Sequence, residues 1–377
     1  MIDIYGTLGP SCSDYETLKE MFSLGMTGVR LNLSHVTLPQ SAARIAVMQK
    51  AAADAGVKPQ LLIDMQGPEL RVGRFETPVT LTDGGEAVLM PPQGVDGPQT
   101  DRSSGGDAAG PAFSTGGADV PVIPVPQLVM PYLKPGQEVL LDDGKLLLLV
   151  SGPATGRLSG SGAVRAEVRR GGTLTERKSI ALPGAHIYPP TLTETDLLNL
   201  LIAKNYGVTA VMQPFVRNRK DLDTVRGVLD GADEKHIRLF AKIENTDGAG
   251  RFEELLPAAD EIVIARGDLG NAVPLWELPG VQKNIAARCR AAGKPFMVVT
   301  QMLASMEQNP VPTRAEVSDI FNAVLDGAAS VMVTGETAVG RHPAEVIRYL
   351  VNTVRAAERY AEEHRLSGIL PEVFCNS

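Results

Sequence analysis

Short apolar runs alternate with longer amphipathic segments along most of this chain. Each run is rich in aliphatic and β-branched residues, and most lead into a turn that contains Gly, Pro or Asn, which is typical of a buried strand. The clearest runs lie at residues 28–33, 60–64, 210–213, 239–244, 261–266, 295–300 and 330–334. We predict a further strand near the N-terminus, at residues 2–8 (IDIYGTL).

Amphipathic segments separate these runs, and the clearest span residues 193–205, 217–229 and 279–292. Apolar positions at helical spacing predict helices with one buried face. A repeated strand–helix order indicates a parallel sheet covered by helices. Together with the N-terminal strand, the runs favour a closed (β/α)8 TIM barrel of the α/β class over an open sheet.

Residues 73–178 interrupt this order. Helical periodicity is lost there, and short strand-like pieces separated by Gly and Pro replace it, so we predict an inserted β-domain. The segment 94–120 is rich in Gly, Ser, Asp and Pro, so we expect a mobile loop. The expected barrel domain is therefore discontinuous, at residues 1–72 and 179–360. A short tail at residues 361–377 would follow it, with no further domain.

Composition and charge narrow the classes of function. The chain is 44% hydrophobic but only 5% aromatic, which fits the aliphatic core of parallel strands under helices. A net charge of −8 argues against a nucleic-acid surface, because phosphate-backbone binding needs clustered Lys and Arg. Three cysteines are too few for a disulfide framework, so we expect a reduced, cytoplasmic setting. We expect neither a signal peptide nor a membrane span.

Polar side chains follow several predicted strands at the end that carries the active site in a TIM barrel. Strand alternation places Lys242 and Glu244 on one side of their strand, with the residue between them packed behind. Gly267 and Asp268 follow the next strand, where a ligand could approach the backbone closely and two amides could hold an anion. Thr300 ends another strand and offers a hydroxyl.

These groups suit phosphoryl transfer. The carboxylates of Glu244 and Asp268 could hold one Mg²⁺, which usually keeps water and substrate oxygens among its ligands. Lys242 and Arg30 would neutralise the charge of a transferring phosphoryl group. Such a reaction needs positioning and charge stabilisation, and little covalent chemistry from the protein.

Each motif alone also has a structural explanation. A Lys-x-Glu pair on a strand is usually a surface ion pair, and Arg-Gly-Asp is a common turn. Thr313 and Glu316 form a capping box, whose ordinary role is to start a helix. Residues 334–337 (TGET) can likewise be a strand end with a helix cap. What favours an active site is the order of several strand ends, each with a polar group at the expected barrel mouth.

Longer motifs around these residues resemble those of pyruvate kinases, in one order from residue 7 to about residue 359. They include TLGP at 7–10, GMTGVRLNLSH at 25–35, DMQGPELR at 64–71, KIEN at 242–245, ARGDLG at 265–270, TQMLASM at 300–306 and PTRAE at 312–316. The resemblance implies a TIM barrel with a small β-barrel domain inserted after its third strand. The inserted domain would act as a lid that carries Lys178 to the nucleotide phosphates.

The resemblance also implies roles for individual residues. Lys242 and Arg30 would be the catalytic cations. Glu244 and Asp268 would bind Mg²⁺ or Mn²⁺. The further implied contacts are a substrate site of Arg30, Lys242, Gly267, Asp268 and Thr300, a nucleotide site of Asn32, His35, Arg71 and Lys178, and a potassium site of Asn32, Ser34, Asp64 and Met65.

Several positions depart from the family pattern. Met65, Gln66 and Val72 are typical of potassium-independent enzymes, whereas Glu69 is typical of potassium-requiring ones. The potassium requirement therefore stays open, although a bound cation is favoured because Glu69 supplies no positive charge in its place. Trp276 lies in a segment that can touch a neighbouring subunit, but core packing is the commoner role of a single Trp.

The reaction implied by the resemblance is transfer of the phosphoryl group of phosphoenolpyruvate to ADP, giving pyruvate and ATP as in glycolysis. Two alternatives stay open: a metal-dependent lyase or decarboxylase acting on a keto-acid, and a non-catalytic ligand-binding protein. The nucleotide-site residues count against the first, and the intact set of charged groups counts against the second. This short form is expected to lack the family's C-terminal regulatory domain and to be a monomer or homodimer. Nucleic-acid and membrane partners are not expected.

Overall fold

The computed structural model of the protein describes residues 2–34, 36–75, 77–91, 120–142, 144–155, 158, 160, 162–185 and 187–364, with the backbone alone at residue 271. The chain forms two compact units, Met1–Pro68 with Pro190–Ser377, and Glu69–Pro189. The limits 73 and 178 expected for the inserted domain lie inside the second unit. The reason is that Arg71 forms an antiparallel bridge with Ser179, so the unit begins before residue 73.

Strands and helices alternate in the first unit, whereas the second unit is built mainly from strands. The described strands are β1 (Asp3–Thr7), β2 (Gly28–Asn32), β3 (Gln60–Asp64), β4 (Val79–Leu81), β5 (Glu86–Met90), β6 (Val122–Pro124), β7 (Glu138–Leu141), β8 (Leu146–Pro153), β9 (Val164–Arg170), β10 (Gly172–Leu174), β11 (Ile180–Ala181), β12 (Ala210–Gln213), β13 (Arg238–Ile243), β14 (Glu261–Ala265), β15 (Phe296–Val299) and β16 (Ser330–Met332). The described helices are α1 (Tyr15–Leu24), α2 (Leu38–Asp54), α3 (Glu194–Leu201), α4 (Arg219–Gly231), α5 (Thr246–Gly250), α6 (Phe252–Leu255), α7 (Arg266–Ala272), α8 (Leu278–Ala291), α9 (Arg314–Leu325), α10 (Gly335–Ala338) and α11 (Pro343–Glu363).

The parallel strands of the first unit close into a barrel in the order β1-β16-β15-β14-β13-β12-β3-β2. Each strand predicted for the barrel from the sequence is present, and the TIM-barrel prediction is confirmed. Neighbouring strands are in register: Lys242 of β13 lies opposite Val263 of β14, and Arg30 of β2 lies opposite Leu62 of β3. This parallel arrangement brings the carboxyl ends of the strands to one rim.

Alternation along each strand divides the apolar residues of the barrel between two cores. Outward-facing residues pack under the helices, and Ile243, Ile264 and Val298 are fully buried there. Ile243 thus lies behind the neighbouring Lys242, as the alternation predicts. Inward-facing residues fill the barrel itself. This inner core consists of Tyr5, Leu62, Ala210, Met212, Phe240, Val263, Ala265, Met297, Val299 and Met332.

The predicted helices are present as α3, α4 and α8, and α3 begins at a side-chain cap. Thr193 forms a capping box with Asp196 at the start of α3. This helix ends before residue 205, because a separate 3₁₀ turn follows and finishes at Gly207, which has a left-handed conformation. The capping box predicted at Thr313 and Glu316 is confirmed at the start of α9. None of the described helices is long and apolar enough to cross a membrane.

The strands of the second unit form a β-domain, as the interruption of the barrel pattern predicts. β11-β7-β8-β9-β5-β6 form a six-stranded sheet, and β10 pairs with β4 in a separate two-stranded sheet. The described strands therefore pair as two sheets, whereas the resemblance implied a small barrel. Alternate residues build the core, among them Val139, Leu141 and Leu148, which are fully buried. The mobile loop expected at residues 94–120 lies outside the described residues except for Val120.

The expectation that Trp276 packs in a core is wrong. Trp276 and its neighbour Leu275 are 82% and 71% exposed. They lie between α7 and α8 in residues 274–277, all of which are exposed.

Candidate active site

Lys242 and Glu244 form an ion pair at the carboxyl end of β13. The Lys242 ammonium lies 2.8 Å from the Oε1 atom of Glu244. The two side chains are only 14% and 2% exposed. They share one side of the chain because they are two residues apart on an extended backbone. The sequence predicted this juxtaposition, and the structure brings the two groups together.

Asp64, the last residue of β3, joins the Lys242–Glu244 pair to a second cation. Its Oδ2 atom accepts hydrogen bonds from Nε and Nη2 of Arg30, at 3.0 and 2.6 Å, and lies 3.3 Å from the Lys242 ammonium. Arg30 is the middle residue of β2, and its side chain is 12% exposed. Three barrel strands thus contribute charged groups to one cluster of Arg30, Asp64, Lys242 and Glu244, which we call the charged quartet.

The charges of the quartet stabilise one another. Burial raises the pKa of Asp64, but the nearby charges of Lys242 and Arg30 outweigh burial and hold this pKa below its usual value. Burial lowers the pKa of Lys242, but Asp64 and Glu244 oppose burial more strongly and hold this pKa well above its usual value. Both groups are therefore ionised at neutral pH, and Lys242 keeps its positive charge inside the barrel mouth.

The loop after β12 fixes the second oxygen of Glu244. The backbone amide of Phe215 donates a hydrogen bond of 2.8 Å to Glu244 Oε2. Phe215 has φ +50°, a left-handed conformation that is uncommon for a residue with a side chain. Glu244 is thus held at both oxygens, by Lys242 on one side and by this turn on the other. Two groups of the fold, the Lys242 ammonium and the Phe215 amide, therefore fix its orientation.

Gly267 and Thr300 lie against each other at the ends of β14 and β15. A Cβ atom added at Gly267 would lie 3.2 Å from Cγ2 of Thr300, which is a tight contact. Thr300 is half-buried and has φ +81°. Asp268, also half-buried, follows Gly267 in the first turn of α7. The structure therefore places the three predicted carboxylate-binding residues on neighbouring strand ends.

Glu244 and Asp268 have the chemistry of a magnesium site. Carboxylate oxygens are the ligands that Mg²⁺ prefers, and the two residues follow the adjacent strands β13 and β14. Each Glu244 oxygen accepts one hydrogen bond and keeps a further lone pair. Within the described residues no group of three or more His, Cys, Asp or Glu side chains is arranged for a metal ion.

The residues expected to bind a monovalent cation surround the end of β3. The Oδ1 atom of Asp64 is buried and has no hydrogen-bond partner among the described residues. Asn32, at the end of β2, accepts a 3.0 Å hydrogen bond from the amide of Ser34. The Met65 amide is bonded to the carbonyl of Met212. An unpaired buried carboxylate oxygen is costly without a partner, so this donor set fits a bound K⁺.

The expected nucleotide-binding residues are divided between the two units. Asn32 belongs to the first unit, and His35 lies outside the described residues. Arg71 and Lys178 belong to the second unit, where they are neighbours: the amide of Val72 donates to the Lys178 carbonyl at 2.8 Å. Lys178 forms an ion pair of 2.8 Å with Asp142, and its side chain is 40% exposed.

Sequence reasoning missed several polar groups that the structure brings to these strand ends. Arg266 was interpreted as part of a turn, but its guanidinium binds the backbone of Thr300. Asp196 was not singled out, yet its buried carboxylate holds the loop after β3. Asp64 was assigned only to a cation site, although it pairs with Arg30 and Lys242. An inward-facing position on a predicted strand is the one signal that could have pointed to Asp64; the contacts of Arg266 and Asp196 are tertiary.

Known proteins are similar in sequence to most of this chain. The family model described as "Pyruvate kinase, barrel domain" matches residues 1–103 and 109–347. A pyruvate kinase of Geobacillus stearothermophilus is 34% identical over 360 residues, which cover 95% of this chain and 57% of that protein. A pyruvate kinase of Homo sapiens is 37% identical over 366 residues, covering 94% of this chain and 59% of that protein. This chain therefore spans less than two thirds of the length of these relatives. By the matched family model and these identities, the chain belongs to the pyruvate kinase family.

Proposed function

We propose that this protein transfers the phosphoryl group of phosphoenolpyruvate to ADP, giving pyruvate and ATP. The observation that carries the proposal is the charged quartet, formed by Arg30 in the middle of β2 and by Asp64, Lys242 and Glu244 at the carboxyl ends of β3 and β13. Two buried cations held in place by two carboxylates are suited to the charge stabilisation that phosphoryl transfer requires. Membership of the pyruvate kinase family supports the same reaction.

Lys242 is the central group of the proposed mechanism. Its ammonium would lie against the phosphoryl group and the enolate oxygen, where negative charge develops during transfer. Because Asp64 and Glu244 hold its pKa well above the usual value, Lys242 acts as a fixed positive charge and not as a proton donor. The Arg30 guanidinium, held by the same Asp64 carboxylate, adds a second positive charge on the transferring group.

The cations of the proposed site extend this stabilisation. Glu244 and Asp268 would hold Mg²⁺ or Mn²⁺, which supplies positive charge and orients phosphate oxygens. The residues around Asp64, whose Oδ1 atom is buried without a hydrogen-bond partner among the described residues, would hold K⁺. The proposed potassium ligands are Asn32, Ser34, Asp64 and Met65.

The remaining proposed contacts bind the two substrates. The backbone at Gly267 and Asp268 and the hydroxyl of Thr300 would receive the carboxylate of phosphoenolpyruvate, since no side chain at Gly267 blocks the approach. The proposed nucleotide contacts are Asn32, His35, Arg71 and Lys178.

The test is turnover by the purified protein with phosphoenolpyruvate, ADP and MgCl₂, with and without KCl. We expect pyruvate, measured by coupling to lactate dehydrogenase, and an equal amount of ATP. Absence of pyruvate under both salt conditions would refute the proposal. Pyruvate formed from a keto-acid without any nucleotide would favour a lyase or decarboxylase instead.

Lys242→Met is the critical variant of this test. We expect kcat to fall by at least about 100-fold, because a pre-organised charge at the site of developing charge is removed. Lys242→Arg keeps a positive charge among Asp64 and Glu244 and serves as the control for folding. Circular dichroism of both variants separates a loss of catalysis from a loss of structure. A Lys242→Met variant with full kcat would exclude the proposed mechanism.

A further inference from the structure

Two consecutive residues after β15 have a backbone conformation that non-glycine residues rarely adopt. Thr300 has φ +81° and Gln301 has φ +56°. A β-branched residue such as Thr300 is a genuine outlier at positive φ. Such residues persist only where the surrounding structure enforces them, most often at functional sites. Residues 300–301, which we call the strained turn, therefore need a structural cause.

The guanidinium of Arg266 supplies this cause. Its Nη2 and Nε atoms both donate hydrogen bonds to the carbonyl oxygen of Thr300, at 2.6 and 3.2 Å. Nε also lies 3.3 Å from the carbonyl oxygen of Val299. The side chain of Arg266 is only 12% exposed, so these bonds are largely shielded from water. One arginine thus holds the backbone at the point where β15 ends and the strained turn begins.

Asp319 of α9 holds the arginine in turn. The Nη1 atom of Arg266 donates to both carboxylate oxygens of Asp319, at 2.8 and 2.6 Å. Nη2 also contacts the sulfur of Met302 at 2.9 Å. Every nitrogen of the guanidinium therefore has a partner within the protein. The Arg266 guanidinium pairs with Asp319 and with the Thr300 carbonyl, so it is not available to bind a substrate directly.

The residue next to Arg266 completes the arrangement. Gly267 has no side chain, and a Cβ atom there would lie 3.2 Å from Cγ2 of Thr300. Arg266 thus binds the Thr300 carbonyl while Gly267 leaves space for the Thr300 side chain. Arg266 and Gly267 therefore both act on Thr300: Arg266 binds the backbone of Thr300, and Gly267 accommodates the side chain of Thr300.

We propose that Arg266, anchored by Asp319, is a positioning residue that enforces the strained turn and so keeps the Thr300 hydroxyl in place for the carboxylate of phosphoenolpyruvate. This inference rests on the proposed function of the site. Arg266 acts through the backbone of Thr300 and does not touch the substrate. Its loss lets the turn relax to negative φ, which moves the hydroxyl away from the substrate carboxylate.

The kinetic test uses Arg266→Lys, which keeps the charge but loses the planar fork of donors. We expect the KM for phosphoenolpyruvate to rise about 10- to 100-fold, because small displacements of a substrate-positioning group have effects of this size. The KM for ADP should not change. Gln301→Gly should restore most of the affinity in the Arg266→Lys background, because glycine adopts positive φ without strain. A lack of rescue, or an equal rise in both KM values, would overturn the proposal.

Urea denaturation of the wild type, the two single variants and the double variant tests the same inference without turnover. Gln301→Gly should raise the urea midpoint in the wild-type background, where Arg266 enforces positive φ. It should raise the midpoint less in the Arg266→Lys background, where the turn has already relaxed. Equal shifts in both backgrounds would show that Arg266 does not enforce the turn. If the wild type fails to convert phosphoenolpyruvate, the proposed function falls, and these midpoints still decide the role of Arg266.

Arg217→Lys is the matched control. Arg217 forms an ion pair of 2.8 Å with Asp221, and the two side chains are 11% and 5% exposed. Loss of this pair should lower the urea midpoint but leave the KM for phosphoenolpyruvate unchanged, and Gln301→Gly should not rescue it. If Arg217→Lys raised the KM for phosphoenolpyruvate as much as Arg266→Lys, the effect would be one of general destabilisation and the proposal would fail.

Discussion

At the scale of the residue, one carboxylate oxygen organises two cations. Oδ2 of Asp64 contacts both Arg30 and Lys242, so the protein itself holds the two positive charges side by side in the barrel. Charges that are fixed in advance need no reorganisation at the moment of reaction, which is why such sites are effective in catalysis. Pairing also offsets the cost of burying them, because an isolated buried charge is strongly unfavourable.

Gly267 permits a simple test at this scale. Gly267→Ala would place a Cβ atom 3.2 Å from Cγ2 of Thr300, so Thr300 must move by a few tenths of an ångström. We expect the KM for phosphoenolpyruvate to rise about 10-fold in steady-state kinetics, because Thr300 is displaced and the backbone is less accessible. Gly280→Ala is the control, since a Cβ atom at this position meets nothing within 4 Å. Equal kinetics for the two variants would contradict this prediction.

At the scale of the element, a residue of α3 holds the loop that follows β3. Asp196 is fully buried, and its carboxylate accepts hydrogen bonds from the amides of Gln66, Gly67 and Thr193, at 2.8, 3.0 and 3.0 Å. The same side chain thus caps its own helix and fixes the backbone just beyond Asp64. The position of one helix is thereby linked to the position of a strand end in the candidate site.

Asp196→Asn should weaken this link. The Asn side chain has one acceptor oxygen, and its NH₂ group would face backbone N–H donors. We expect the free energy of unfolding in urea to fall by about 2 kcal/mol, since hydrogen bonds to a buried charged group are lost. Thr313→Ala, which removes only the cap of α9, should cost about 1 kcal/mol and leave both KM values unchanged. A change of less than about 0.5 kcal/mol for Asp196→Asn would argue against this role, because surface substitutions have effects of that size.

At the scale of the whole molecule, polar layers close both ends of the barrel and the inner apolar core lies between them. The layer at the amino ends of the strands includes an ion pair of 2.6 Å between Arg238 and Glu261, and a 2.6 Å hydrogen bond from Tyr5 to Gln60. Ser330 donates a further hydrogen bond to Glu261. The amino ends of barrel strands serve stability, whereas the carboxyl ends carry the active site. We therefore assign this second layer to the stability of the fold.

Glu261 makes the stability of the molecule depend on pH. Burial raises the pKa of Glu261 from 4.5 to about 7, against the opposing effects of Ser330 and Arg238. Between these two values the folded protein binds more protons than the unfolded chain, so the free energy of unfolding falls as the pH rises through this window. The expected loss is about 3 kcal/mol on complete ionisation. The lowered pKa of Asp64 has the opposite sign, and its contribution is lost only as the pH falls below the ordinary range of a carboxyl group.

Urea denaturation between about pH 5 and pH 8 measures this dependence, in the range where a group with a pKa of about 7 changes its charge. The wild type should lose stability across the range, and Glu261→Gln should show a flatter profile. Gln cannot ionise, but it keeps an oxygen that can accept from Ser330 and Arg238. Identical slopes for the two proteins would assign the pH dependence to groups other than Glu261.

The sequence predicted the strands of the barrel and the inserted β-domain because both depend on the local period of apolar residues. It also predicted that Lys242 and Glu244 share one side, since alternation is a property of the extended chain itself. The end of α3 and the exposure of Trp276 were not predictable in this way. They depend on which other elements cover a segment, and a single sequence does not show that.

The sequence by itself determined the alternation of strands and helices, the chemistry available at the strand ends and the family, because periodicity, turn residues and motifs are local features of the chain. Only the tertiary structure decided which charged groups meet. Asp64 and Lys242 are 178 residues apart in the chain, and Arg266 reaches Asp319 across 53 residues. Contacts at such separations arise from barrel closure and helix packing, and they determine which polar side chains hold the site in place.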